Sequence, residues 1–238
     1  MMNLTPEQLT GRAGSHVHSV SAFSCRLHAD TAEALLALTA ASAAYDIDLA
    51  VASGFRDFER QLAIWNGKFR GERPLLDRHG QPLDVRRMDP EAIVRAILEW
   101  SALPGASRHH WGSEVDVYDR AALGPAARPQ LVPAEYAADG VFARLSRFLD
   151  EQAAQFGFYR PYDSDRGGVQ PEPWHLSYAP IAGPALSALT PAILRDALEG
   201  VPIGGAQVVQ RLLPEIHERY VRRVAPAPLN PAAAARPS

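Results

Sequence analysis

Two stretches decide the reading: Ser107-Arg108-His109-His110-Trp111-Gly112-Ser113-Glu114-Val115-Asp116, and further along Glu172-Pro173-Trp174-His175. The first ends in a strand-like run, Glu114-Val115-Asp116-Val117-Tyr118, and the second leads into a short strand that reaches Tyr178. Both put histidine and carboxylate side chains at strand ends. His109 and Asp116 lie seven positions apart, so on one straight strand they would face opposite ways. Gly112 stands between them and can turn the backbone, which lets both side chains converge on one point. In the second stretch an E-x-x-H spacing brings a carboxylate beside a histidine.

Working outward, helices and short strands mix without strict βαβ alternation. That pattern predicts an α+β fold with a small, mainly antiparallel sheet flanked by helices. A helix is expected from Thr31 to about Tyr45, then a strand over Ile47–Val51 that turns at Ser53-Gly54. Phe58, Leu62, Trp65 and Phe69 share one helical face. Gly71 to Met88 reads as a long surface loop, after which Asp89 and Pro90 open a helix carrying Ile93, Ile97 and Trp100. Another helix covers about 140–156 with Phe142, Leu145, Leu149 and Phe156 inward, and short helices are expected over 191–199 and 214–221. The divisions are an N-terminal segment 1–30, a main domain 31–180, a helical extension 181–224 on the same domain, and a Pro- and Ala-rich disordered tail 225–238.

The bulk numbers narrow the function. The chain has 238 residues, 47% hydrophobic and 21% charged, as in an ordinary globular protein. A formal net charge of -3 argues against a nucleic-acid partner. No window is apolar enough for a spanning helix, and the N-terminus lacks the basic and apolar regions of a signal peptide, so a cytoplasmic setting without a membrane partner is expected. The single cysteine, Cys25, reads as a small buried hydrophobe.

The chemistry of the two stretches suits a metal. A catalytic zinc takes three ligands from His, Cys, Asp or Glu and keeps a fourth position for water. His109 or His110, Asp116 and His175 offer such a set, with Glu172 within reach of the water, although the H-E-x-x-H helix signature is absent. His16 and His18 form a second H-x-H pair, while His28, His79 and His217 read as surface residues.

S-x-H-x-x-G-x-x-x-D followed by E-P-W-H resembles the D-alanyl-D-alanine carboxypeptidases of the VanY type, peptidoglycan peptidases that share a fold with VanX-like dipeptidases, lysostaphin-type enzymes and the hedgehog N-terminal domain. Ser53-Gly54-Phe55-Arg56-Asp57-Phe58-Glu59-Arg60-Gln61 resembles a third motif of that family, S-G-[YF]-R-x-x-x-x-Q. The resemblance covers roughly residues 45–180. It implies one zinc per chain on His109 (in preference to His110), Asp116 and His175, with Glu172 as general base and Arg56 on the oxyanion. It further implies Ser53, Gln61, Ser107 and Tyr162 (or Tyr159) as substrate-positioning residues. Glu114 departs from the pattern, which often has alanine there, and so points either to the surroundings of the ligands or to solvent.

The implied partner is a peptidoglycan stem peptide or muropeptide, and the implied reaction removes its terminal D-alanine. A cytoplasmic setting favours L,D-carboxypeptidase action on tetrapeptides in wall recycling. The alternatives are D,D-carboxypeptidase action on pentapeptides, an endopeptidase of cross-links, and a non-catalytic zinc-containing binding domain. The last has no use for Glu172, Arg56 and Gln61.

Overall fold

A computed structural model describes residues 4–124 and 127–228. In chain order the elements are helix α1 (Pro6–Leu9), strands β1 (His18–Val20) and β2 (Cys25–Leu27), helix α2 (Ala29–Ser42), strand β3 (Leu49–Ser53), and helices α3 (Phe58–Phe69) and α4 (Pro90–Trp100). Then follow strand β4 (Glu114–Asp119), helix α5 (Ala143–Gln152), strands β5 (Phe158–Tyr159) and β6 (His175–Tyr178), and helices α6 (Ala179–Ala188), α7 (Pro191–Leu198) and α8 (Ala206–Ile216). A π-helical turn, His217–Arg222, continues α8. β1 and β2 form a hairpin, and the other four strands make an antiparallel sheet in the order β3-β4-β6-β5. The α+β class with a small antiparallel sheet is the one the sequence predicts.

Strand alternation separates the two faces of that sheet. Val115 and Val117 of β4, Leu176 of β6, Leu49 of β3 and Phe158 of β5 enter a core shared with Leu35 and Leu38 of α2 and Leu145, Phe148 and Leu149 of α5. Glu114, Asp116, His175 and Ser177 alternate with them on the other face, buried although polar. A second core lies among the helices. Phe58, Leu62 and Trp65 of α3 meet Ile93, Val94 and Ile97 of α4, Ala182 and Ala185 of α6, Leu194 of α7, and Val209 and Leu213 of α8.

The helix starts follow side-chain chemistry. Asp57, Asp89 and Thr190 each accept from a backbone N–H of the first turn, which satisfies a donor that no helical carbonyl reaches. Two helices differ from expectation. α6 runs through Pro184, inside the expected helical extension 181–224 but ahead of the helices placed individually there. α8 begins at Ala206, after Gly205 in the left-handed region, so Pro214 lies inside it rather than opening a helix over 214–221. The loop 71–88 is pinned by a Leu76–Pro82 bridge and a 3-10 turn, Val85–Arg87.

The N-terminal residues pack onto the turn that carries His109. The Trp111 indole N–H donates to the Leu9 carbonyl at 3.1 Å, and the Phe58 N–H donates to the Gly11 carbonyl at 2.9 Å. At the other end, the Ala225 N–H donates to the Pro161 carbonyl at 2.8 Å, and Ala225 is buried. The tail expected to be disordered, 225–238, is thus tied down at its first residue, and residues 229–238 of it lie outside the described residues.

Candidate metal centre and active site

A 3-10 turn, Arg108–Trp111, delivers His109 and ends at Gly112 with φ +68°. Only glycine takes that conformation without strain. A Cβ there would also lie 2.3 Å from Val17 Cγ1 and 2.9 Å from the His28 backbone nitrogen. The turn therefore does what the spacing of His109 and Asp116 requires. Asp116 then pairs with His175 across β4 and β6, and with Ser53 across β3, where the register shifts between Val51 and Ser53. A turn in which the Glu172 carbonyl accepts from the His175 N–H at 3.0 Å brings the Glu172 side chain back toward the ring.

One ligand atom each from His109, Asp116 and His175 lies within 4.8 Å of the others, and all three residues are buried. His109 Nε2 stands 3.4 Å from Asp116 Oδ2, and His175 Nδ1 stands 3.3 Å from Asp116 Oδ1 and 3.2 Å from Glu172 Oε2.

Hydrogen bonds fix which nitrogens are free. His109 Nδ1–H donates to the Gly54 carbonyl at 2.8 Å, so Nε2 keeps its lone pair. His175 Nε2–H donates to Glu114 Oε2 at 2.8 Å, so Nδ1 keeps its own. Asp116 Oδ1 is buried without a hydrogen-bond partner. With Nδ1 of His175 deprotonated, lone pairs converge on one point, an arrangement that a divalent cation satisfies and that a proton on Nδ1 satisfies in its absence. Asp116 shows the consequence. Burial alone would raise its pKa, but His109 and His175 outweigh burial and hold it well below the carboxylate range. Burial would lower His175, and its hydrogen bonds to Asp116, Glu114 and Glu172 hold it well above the usual histidine value instead.

His110 is excluded as a ligand. Its Nδ1–H donates to the Arg56 carbonyl at 2.6 Å and its Nε2 accepts from the Gly105 N–H at 3.2 Å. Both nitrogens are spent, and burial holds its pKa down at about 3. His16 Nε2 meets the His110 carbonyl at 2.9 Å, and His18 is exposed. His217 is buried against the Leu189 carbonyl at 2.8 Å, contrary to its reading as a surface residue.

Arg56 donates to Ser53 Oγ at 3.2 Å and to Gln61 Oε1 at 2.8 Å. Gln61 is fully buried and spends its amide nitrogen on the Ala102 carbonyl at 2.7 Å. It is placed to orient Arg56 and not to touch a peptide. Ser107 is buried at the start of the 3-10 turn, and its side chain does not cap it. Of the two tyrosines, Tyr162 packs edge-on against His175, with centroids 5.1 Å apart, and burial pushes its hydroxyl up to about 12. Tyr159 instead accepts from Arg108 at 3.0 Å.

Two residues have roles that the sequence does not disclose. Lys68 on α3 donates to Ser101 Oγ at 2.7 Å, its pKa lowered by burial and its charge felt by Glu172, Arg56 and Arg73. Arg108 is buried in an ion pair with Glu114 at 3.3 Å. Its place within the H-bearing motif is visible in sequence, but its partner is not.

A family model described as VanY, D-alanyl-D-alanine carboxypeptidase, matches residues 24–181. The chain belongs to this family. It is a carboxypeptidase of VanY type whose His109, Asp116 and His175 form a metal site. An uncharacterized protein of Haemophilus influenzae is 40% identical over 121 residues, which cover 50% of this chain and 92% of that one. A D-alanyl-D-alanine carboxypeptidase of Enterococcus faecalis is 30% identical over 137 residues, covering 55% of this chain and 40% of that one. Among solved structures, a mutant of the vancomycin resistance D,D-pentapeptidase VanY in complex with Zn(II) aligns with TM-score 0.52 and 22% identity, over 82% of this chain and 90% of that one. The LdcB LD-carboxypeptidase aligns with TM-score 0.52 and 18% identity, over 84% and 80%. At these identities the structural likeness is one of fold.

Proposed function

We propose that the chain is a zinc-dependent carboxypeptidase that releases the C-terminal D-alanine from peptidoglycan stem peptides. The observation that carries this reading is the meeting of Glu172 with the His109, Asp116 and His175 lone pairs: its carboxylate lies 3.2 Å from His175 Nδ1. Two neutral imidazoles and one carboxylate suit zinc, and the VanY neighbour is a zinc complex.

When bound, zinc supplies a Lewis acid that polarises the scissile carbonyl and acidifies water at neutral pH. Glu172 takes the proton of the attacking water and returns it to the leaving amine. Arg56, held by Gln61 and Ser53, faces the charge that develops on the carbonyl oxygen. Tyr162 walls the His175 side of the site.

Release of a terminal residue needs a group for the free carboxylate. We assign it to Lys68, whose charge lies close enough to the site to be felt by Glu172 and Arg56. Burial lowers the Lys68 pKa, Glu172 opposes that shift, and Arg56 and Arg73 add to it. A free peptide carboxylate beside Lys68 offsets that repulsion, which an internal peptide bond cannot do. This favours an exopeptidase over an endopeptidase of cross-links.

For the bond itself we assign L,D action on tetrapeptide stems in the cytoplasm. Trimming pentapeptide precursors there would deplete the donor stem for cross-linking, whereas recovered tetrapeptides must lose D-alanine before reuse. Zinc-loaded protein should release D-alanine from a free tetrapeptide faster than from a pentapeptide. Rapid pentapeptide cleavage with the tetrapeptide untouched would make it a D,D-carboxypeptidase.

A further inference from the structure

Behind His175 lies a buried polar cluster that the reaction does not consume. Glu114 on β4 is fully buried, yet its carboxylate is saturated with donors. Ser113 Oγ–H and Ser177 Oγ–H each donate to Oε1 at 2.8 Å, and His175 Nε2–H and Arg108 Nε–H donate to Oε2 at 2.8 and 3.3 Å. Arg108 also donates to Ser177 Oγ at 2.6 Å and lies over the Trp111 ring at 4.8 Å. Strand register builds the cluster: Glu114 pairs with Ser177, and Asp116 pairs with His175 two residues along. The carboxylate therefore reaches His175 from one side while Asp116 meets it from the other.

An ionised carboxylate accepts hydrogen bonds and donates none. Whichever His175 nitrogen faces Glu114 must carry the hydrogen, and that nitrogen is Nε2. The lone pair is left on Nδ1, which points at Asp116 and Glu172. We propose that Glu114, anchored by Arg108, is a positioning residue that fixes the tautomer and ring plane of His175, so that the metal is taken by Nδ1. The proposal rests on His175 as a metal ligand but not on any particular substrate. Its motivation is the saturated geometry, since a glutamate pointing to solvent would leave His175 free to flip or change tautomer.

The test is made on full-length protein without substrate. In zinc-loaded, 15N-histidine-labelled wild type, long-range nitrogen–proton spectra should show His175 protonated at Nε2 and metal-bound at Nδ1. Zinc affinity is then measured by chelator competition. The double variant Glu114→Ala/Arg108→Met removes both buried charges together, and Glu114→Gln keeps an acceptor of the same shape. Loss of the partner should weaken zinc about 10–100-fold in the double variant, with much of it restored in Glu114→Gln. The Co(II) absorption spectrum should shift in the double variant and not in Glu114→Gln. Metal on Nε2 in wild type, or a folded double variant with wild-type zinc affinity and spectrum, overturns the proposal. A protein that passes these tests yet hydrolyses no stem peptide refutes the proposed function alone. A wild type that takes no zinc refutes the metal reading on which both stand.

Discussion

Glu172 and Asp116 are both carboxylates beside His175, but their surroundings give them different work. Asp116 is buried between two imidazoles, whereas the Glu172 side chain keeps 12% of its surface exposed, open to water and substrate. Glu172→Gln should therefore retain the metal and lose about 10²–10⁴ in turnover, measured by metal analysis and steady-state kinetics. A Gln variant with near wild-type kcat would remove Glu172 from the reaction. Arg56→Ala should lower kcat by about 10²–10³, because its contact forms with the transition state. Lys68→Met should act differently: KM rises about tenfold while kcat stays within a small factor, as expected when a ground-state carboxylate contact is lost. A fall in kcat with KM unchanged would take Lys68 away from the substrate terminus. At this scale the sequence is legible where the residue types are distinctive. Spacing marks the two stretches but leaves His109 and His110 open; the resemblance to the VanY-type motifs singles out His109, Asp116, His175 and Glu172, and Arg56 with them. Lys68 and the Arg108–Glu114 pair are not singled out, since each gains its meaning from a neighbour the fold supplies.

Among the elements, the 3-10 turn before β4 is the most demanding. Gly112→Ala places a Cβ against Val17 and the His28 backbone at positive φ. The backbone conformation alone costs about 1–2 kcal/mol, and the clash adds to it. The variant should unfold at lower urea than wild type and bind zinc more weakly, because the turn carries His109. Unchanged stability and affinity would show that the turn relaxes freely. Strong periodicity made α3, α4 and β4 readable, and Asp89-Pro90 marks the start of α4. α6 falls in the expected helical extension, but its own bounds are hidden by its composition, Ala, Gly and Pro with no polar stripe. α8 is misplaced because Pro214 imitates a first-turn proline while its helix starts earlier, after Gly205. β1 and β2 have three residues each, too few for an alternation to show.

Over the whole molecule, the site joins distant parts of the chain: the N-terminal segment holds the turn that carries His109, and β4 and β6 bring Asp116 to His175, so metal and stability are coupled. The sign follows from His175. Its folded pKa lies above the unfolded value, so in metal-free protein its protonated form contributes stability below about pH 6.5, the usual histidine value, and that stability is lost as pH rises through the raised value. Glu114 works at the other end: held at about 2 although burial opposes ionisation, it contributes stability above the usual glutamate value, lost as pH falls toward about 2. Zinc replaces the proton on His175. The rise in Tm on adding zinc to chelator-stripped protein should therefore be larger at pH 8.5 than at pH 6, and equal rises would contradict His175 as a ligand.

The most direct measurement offers zinc-loaded protein a free stem tetrapeptide, the same peptide amidated at its C-terminus, and a cross-linked dimer, with products identified by mass. Release of a single D-alanine from the free peptide, none from the amidated one, and no activity after chelation or in Glu172→Gln is the expected result. Cleavage of the internal cross-link with the free terminus intact, or hydrolysis indifferent to the metal, would contradict a zinc carboxypeptidase.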